Sequence, residues 1–213
     1  MDTACTAILL EPFLEQPLSQ FQLDQISIYI DLLLRWNARI NLTAIRNEEE
    51  IVTRHFGESL FMARHLFPPP GNPLHLPTVL DIGSGAGFPA LPLKLWAPEI
   101  HLTLIESNHK KAAFLREVAR ALTLTDINVI TDRAETVAAN PDFPRTKLVT
   151  LRAVERFETI LPQAVSLLSP TGTLALLIGA TQVPHLMQTP LKWRPPIRIP
   201  QSHARVLAIG VRA

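Results

Sequence analysis

From residue 78 onward, short runs rich in Val, Ile, Leu and Thr alternate with longer stretches of helical periodicity. TVLDI (78–82), HLTLIE (101–106), INVI (127–130), KLVTL (147–151) and GTLALLI (172–178) read as strands. HKKAAFLREVARAL (109–122) and ETILPQAVSLL (158–168) read as helices between them. A parallel sheet needs such crossovers, so the alternation predicts βαβ units of an α/β fold. The runs are apolar almost throughout, as expected of a sheet covered on both faces. The last segment, PIRIPQSHARVLAIGV (196–211), holds two extended stretches with no room for a crossover helix and predicts an antiparallel hairpin at one edge.

The first third has a different period. Over 21–45, Leu23, Ile26, Ile30, Leu33, Leu34 and Trp36 lie near the 3.6-residue spacing of an amphipathic helix. Residues 48–66 repeat the pattern and begin with three acids, where the helix dipole favours negative charge. FPPPGNPLHLP (67–77) then breaks any helix, because proline removes donors and restricts the residue before it. The expected organisation is a helical N-terminal cap over 1–67, a Pro-rich linker over 68–77 and a Rossmann-like domain over 78–213.

The strand TVLDI runs into glycines at alternate positions, Gly83, Gly85 and Gly87. In a doubly wound sheet the first strand-to-helix turn approaches the ligand most closely, and glycines there permit a tight turn and let backbone N–H groups reach it. The spacing is D-x-G-x-G-x-G from Asp81, not the G-x-G-x-x-G of dinucleotide enzymes, and no Gly-Lys-Ser/Thr follows. A carboxylate at the end of the first strand suits a cationic ligand. Glu106, at the end of the second, is placed to accept hydrogen bonds from ribose hydroxyls. Together these features fit S-adenosylmethionine as the cofactor, with Asp81, Gly83, Gly85, Gly87 and Glu106 in its site. Arg133-Ala134-Glu135 and Arg152 follow the third and fourth strands, where the adenine and the acceptor are expected.

Absences narrow the chemistry. Cys5 is the sole cysteine, which excludes an intrachain disulfide framework and a Cys-rich zinc site; no metal is expected. It also lies far in sequence from the strand ends, against a cysteine nucleophile for pyrimidine carbon-5 methylation. The Asn/Asp-Pro-Pro-aromatic turn that serves exocyclic amines is replaced by Arg152-Ala153-Val154. No stretch nears the ~18 apolar residues of a membrane span, and the expectation is a cytoplasmic monomer. Net charge is +1, yet residues 159–213 carry Lys192, Arg194, Arg198, Arg205 and Arg212 and no acid. This basic C-terminal segment either meets phosphates or forms solvated strand edges.

These motifs, over about residues 30 to 180, resemble the RsmG (GidB) family of bacterial 16S ribosomal RNA guanine-N7 methyltransferases. The resemblance rests on Trp36-Asn37, Asn41-Leu42-Thr43, Arg54-His55, Glu58-Ser59-Leu60, Asp81 to Pro89, Lys110-Lys111 with Phe114-Leu115, Arg133-Ala134-Glu135 and Arg152-Ala153-Val154. It implies a class I S-adenosylmethionine-dependent methyltransferase fold, a mostly parallel seven-stranded sheet with an antiparallel edge. It further implies cofactor contacts from Gly83, Phe88, Ala134, Glu135 and Arg152, and puts Asn41, Thr43, Arg54 and His55 at the mouth that faces 16S RNA, a 30S subunit or an assembly intermediate. Arg152 is the candidate catalytic residue, expected to hold the cofactor's methionine end or a phosphate. Departures include Glu58 for an aspartate, Ala90 for a glycine, and Ile178-Gly179 for Lys-Gly, with Arg205 and Arg212 as candidate replacements for the missing lysines. A methyltransferase acting on a small molecule or a protein, and a non-catalytic nucleic-acid-binding protein, remain the alternatives.

Overall fold

The computed structural model describes residues 1–67, 78–152 and 157–212. The expected linker and the Ala153-Val154 pair lie outside them. Eight strands form one sheet: β1 (Thr78–Ile82), β2 (His101–Ile105), β3 (Ile127–Ile130), β4 (Thr146–Arg152), β5 (Leu168–Gly179), β6 (Leu191–Trp193), β7 (Ile197–Arg198) and β8 (Arg205–Arg212). Seven run in the order β3-β2-β1-β4-β5-β8-β6, with β7 paired to β8 off that path. β1 to β5 are mutually parallel, and β8 is antiparallel to β5. The sheet is therefore the mostly parallel α/β sheet expected.

The antiparallel region differs in one respect from a simple edge hairpin. β8 is internal, with β5 on one side and both β6 and β7 on the other. Pro195 and Pro196, which donate no ladder hydrogen bond, divide what would be one edge strand into two short ones.

Alternate strand residues enter different core layers. Val79, Leu102 and Leu104 join one cluster, and Leu80, Ile82 and Ile105 the other. The first layer holds α5 (Ala90–Trp96) and α6 (His109–Ala121); the second holds α7 (Ala134–Ala139) and α8 (Phe157–Ser166). Burial on both faces is why the strand sequences lack polar alternation.

The N-terminal helices extend the first layer. α1 (Thr3–Leu10) leads through a 3₁₀ turn to Phe13, and α2 (Gln20–Asn37) starts from a capping box between Ser19 and Gln22. Leu10, Phe13, Ile26, Tyr29 and Phe56 share one buried cluster with Val79, Phe88 and Phe114. α2 stops at Asn37, well short of residue 45. The Asn37 side chain explains the stop: Oδ1 accepts the Leu42 and Thr43 N–H groups at 2.9 and 3.1 Å, and Nδ2 donates to the Thr43 carbonyl at 3.0 Å. One amide thus ties a turn back onto the helix end.

Residues 48–66 are not one α-helix either. A three-residue α3 (Glu48–Glu50) passes into a π-helical segment, Ile51–Gly57, before α4 (Glu58–Leu66). The wider helix places Gly57 against the Phe13 ring, where a Cβ would come within 2.7 Å of it.

Tyr29 joins cap and sheet. Fully buried, it donates from its hydroxyl to the Ala86 carbonyl inside the glycine loop, and its ring stacks on Phe88 at 5.2 Å and 5°. Tyr29→Phe leaves that buried carbonyl without its partner and is expected to cost about 1–3 kcal/mol in stability. Urea denaturation checks this; an unchanged midpoint would show that the bond contributes nothing.

Candidate functional site

The carboxyl ends of β1, β2, β3 and β4 bring together the glycine loop, Glu106, the Ala134-Glu135 pair and Arg152. The three glycines have φ values of +70°, +54° and +87°, a region that side chains disfavour. Their surroundings separate them. Gly85 is open, with only the Gly83 carbonyl near the position of a Cβ, at 3.7 Å, whereas a Cβ on Gly87 would lie 2.6 Å from Leu91 and against the Tyr29 hydroxyl. Gly87 serves packing under the cap, and Gly85 leaves room for a ligand.

The loop's donors are largely engaged within the protein. Gly83 and Ser84 donate to the Ile105 carbonyl, Gly85 to Glu106 Oε2, and Gly87 to the Ser84 carbonyl. The expectation that glycine N–H groups reach outward is thus corrected at these positions. Glu106, 7% exposed, accepts the Gly85 and Asn108 N–H groups, each at 2.8 Å, through different oxygens. It shapes the loop, and each oxygen keeps a second lone pair for a ligand hydroxyl. Ala134 is buried at the start of α7 with Glu135 exposed beside it.

Asp81 is 1% exposed, accepts from the Thr150 hydroxyl at 2.6 Å through Oδ1, and leaves Oδ2 buried without a partner. Burial raises its pKa to about 7 against the pull of the Thr150 and Ser84 hydrogen bonds, with Glu106 nearby adding to the rise. A buried carboxyl with one free oxygen is suited to a cation.

On the cap side, His55 stacks on Phe88 at 4.6 Å and 14°, so the Phe88 ring lies between His55 and Tyr29. His55 Nε2 is 2.9 Å from the Thr43 hydroxyl, which also accepts the Ile45 N–H at 3.1 Å. The other ring nitrogen, Nδ1, is buried without a partner. Arg152 donates to the Arg54 and His55 carbonyls in the π-helical segment, and its Nη2 is 3.2 Å from Glu58. Burial lowers its pKa to about 10.

A separate cavity of about 400 Å³ lies at the amino ends of the strands, between α2, the end of α5 and the turn after α6. It is remote from these residues. Among the described residues, no helix is long and apolar enough to cross a membrane.

The family model for rRNA small subunit methyltransferase G (GidB) matches residues 22–195. The chain belongs to this family. A ribosomal RNA small subunit methyltransferase G of Chloroflexus aggregans is 38% identical over 203 residues, covering 91% of this chain and 83% of the relative. That of Roseiflexus castenholzii is 45% identical over 151 residues, or 70% and 62%. Among solved structures, magnesium protoporphyrin IX methyltransferase from Synechocystis PCC 6803, with bound SAM, superposes with a TM-score of 0.64 at 13% identity, covering 92% of this chain and 98% of that one. The likeness shows the fold, that of a class I Rossmann-like methyltransferase.

For a GidB family member, the expected site residues fall into three groups. Glu106 is hydrogen-bonded to Gly85, with Asp81 and Phe88 at the two ends of the same loop. Thr43, Arg54, His55 and Arg152 form a second, connected set on the cap side. Asn41 is exposed and Glu135 is exposed at the start of α7, neither in the hydrogen-bonded network. Arg205 and Arg212 are not free replacements for surface lysines: Arg205 binds Glu58, and Arg212 donates to the Leu168 carbonyl at 2.7 Å. Tyr29, Asn37 and Arg205 escaped the sequence reading as parts of the network. Tyr29, the single tyrosine, on the apolar face of α2, was the one legible signal.

His55 is held neutral. Burial, then the charges of Arg152 and Arg54, lower its pKa from 6.5 to about 3. Its contribution to stability is therefore complete above pH 6.5 and is lost as pH falls from there toward 3. The His55 ring resonance is expected to stay constant between pH 5 and 8 in NMR. A titration near pH 6.5 would show that the ring is not held as described.

Proposed function

We propose that this protein uses S-adenosylmethionine to methylate N7 of a guanine in 16S ribosomal RNA, as a monomer acting on RNA within the 30S subunit or its precursor. The observation that carries the cofactor reading is the free, buried Oδ2 of Asp81 at the end of β1, with the open Gly85 in the loop that follows. RNA as the substrate is supported by membership of a family whose relatives are named for small-subunit ribosomal RNA methylation.

The residues present fit the cofactor. Asp81 offers a carboxylate oxygen to a cationic group, Gly85 gives close access, Glu106 retains lone pairs for ribose hydroxyls, and Ala134 with Glu135 borders the third strand end. When bound, S-adenosylmethionine supplies a methyl group activated by positively charged sulfur. Phe88, clamped by Tyr29 and His55, fixes the loop on which the cofactor rests. Arg152 brings positive charge close to Asp81, while its donors hold the cap carbonyls.

Guanine N7 has an in-plane lone pair and no proton, so its attack requires no general base. The protein's task is alignment, for which orientation supplies about 7–11 kcal/mol. A neutral His55 suits this chemistry, because the product base becomes cationic and a second cation beside it would repel. Thr43, Arg54 and His55 form the wall through which the base enters. The N7 edge is hidden in the deep, narrow groove of A-form RNA, so the target is an exposed or displaced guanine.

Incubation of the protein with labelled S-adenosylmethionine and unmodified 16S RNA or 30S particles, followed by nucleoside mass spectrometry, is expected to give 7-methylguanosine. Label in another nucleoside would refute the N7 assignment, and label in no RNA would refute the substrate class. Cofactor affinity supplies a separate check. Ionised Asp81 is the binding form, so affinity is expected to rise about fivefold to tenfold between pH 6 and 7.5 as the carboxyl ionises through about 7. Asp81→Asn should weaken binding and flatten that rise in calorimetry; a variant with wild-type affinity would remove Asp81 from the site.

A further inference from the structure

Glu58 is a buried carboxylate, 1% exposed, shared by two arginines from different strands. Arg205, at the start of β8, donates from Nε to Oε1 at 2.7 Å, and its Nη2 forms an ion pair with the same oxygen at 2.6 Å. Arg152, at the end of β4, brings Nη2 to 3.2 Å from Oε2. Arg152 then reaches the Arg54 and His55 carbonyls, and His55 stacks on Phe88 of the glycine loop. A continuous chain of contacts thus runs from the antiparallel side of the sheet to the loop.

We propose that Glu58 is a positioning residue for the methyl transfer, acting through Arg152. Its charge cancels one of two converging guanidinium charges, which keeps Arg152 on the cap carbonyls and His55 against Phe88. An uncharged acceptor could take a hydrogen bond from either arginine, but it would leave like charges facing each other with little water to screen them. The essential property is therefore the negative charge. The proposal rests on the methyltransferase reading above, and it concerns a residue whose side-chain hydrogen bonds and ion pairs, among the described residues, go to the two arginines.

The test is a charge cycle in the full-length chain: wild type, Glu58→Asp, Glu58→Gln, Arg205→Gln and the Glu58→Gln/Arg205→Gln double variant. Cofactor affinity and the His55–Phe88 ring contacts are measured by calorimetry and NMR without RNA, and kcat and KM with small-subunit RNA. Glu58→Gln is expected to lower kcat about tenfold or more, weaken cofactor binding about fivefold and reduce the ring contacts. Glu58→Asp keeps the charge and should stay within about threefold of wild type. The double variant returns the cluster to a single net positive charge, so it should recover turnover and ring contacts relative to Glu58→Gln.

If Glu58 served only as a hydrogen-bond acceptor, the second substitution would deepen the loss. A double variant no better than Glu58→Gln, or a Glu58→Gln protein with wild-type kcat and cofactor affinity, overturns the proposal. Should Glu58→Gln fail to fold, a folded double variant far less active than Glu58→Asp does so. If wild type methylates no small-subunit RNA, the functional reading falls instead, and the ring contacts and cofactor affinities still decide the role of Glu58.

Discussion

The Phe88 ring, held between Tyr29 of α2 and His55 of the π-helical segment, is the contact on which the arrangement of cap and sheet depends. Phe88 follows directly on the glycine loop, so the segment that shapes the proposed cofactor site also carries the hydrophobic anchor of the cap. Stacked and edge-on rings exceed their area burial by about 0.5–1.5 kcal/mol per pair, and Phe56 adds an edge-on partner to both Tyr29 and Phe88. The Tyr29 hydroxyl fixes the same loop from its backbone side. Moving the cap would strip both faces of Phe88 and unpair the Ala86 carbonyl together, which makes the cap part of the first core layer.

Around this apolar joint the buried charges divide by role. Glu106 binds backbone donors and so maintains the shape of the loop. Glu58 binds guanidinium groups and joins β4 and β8 to the cap. Asp81 keeps one buried carboxylate oxygen with neither a hydrogen bond nor an ion pair, and burial raises its pKa. A fully paired carboxylate in this position would hold its charge at a lower pH but would have nothing to offer a ligand. Incomplete satisfaction of a buried polar group marks a site more clearly than the glycine spacing does.

Much of this was legible in the sequence, and what was not has physical reasons. The apolar runs identified β1 and β3 to the residue: β1 is buried on both faces, and β3, a half-buried edge strand, is marked by its Ile and Val residues. Helix ends were less accessible: α2 ends through an Asn37 side chain that grips residues five and six positions ahead, and the π-helical segment owes its fit to Phe13 beneath Gly57. The first is a local side-chain bond outside the helical period, and the second is a contact between separate segments. The candidate residues at strand ends followed from topology, since a doubly wound sheet gathers them whatever their identities. Arg152 was located by that rule but its partners were not, because carbonyls in a π-helical segment have no sequence signature.

The charge asymmetry along the chain shows the same limit more sharply. Five cations and no acid in residues 159–213 suggest a basic surface, yet Arg205 and Arg212 turn their guanidinium groups onto Glu58 and the Leu168 carbonyl. Lys192, Arg194 and Arg198 are exposed, but they do not share one end of the sheet. Lys192 is opposite Val211, toward the end of β8, whereas Arg198 is opposite Val206, next to Arg205 and the carboxyl end of β5. Of the three, Arg198 stands at the end of the sheet where the strand ends gather the site. The exposed Arg39 and Arg46 flank the turn whose Thr43 hydroxyl meets His55. Exposed positive charge beside the cap turn and at this end of the sheet is thus contributed from both ends of the chain, and a run of basic residues in the sequence is not a basic patch until the partners of each guanidinium are known.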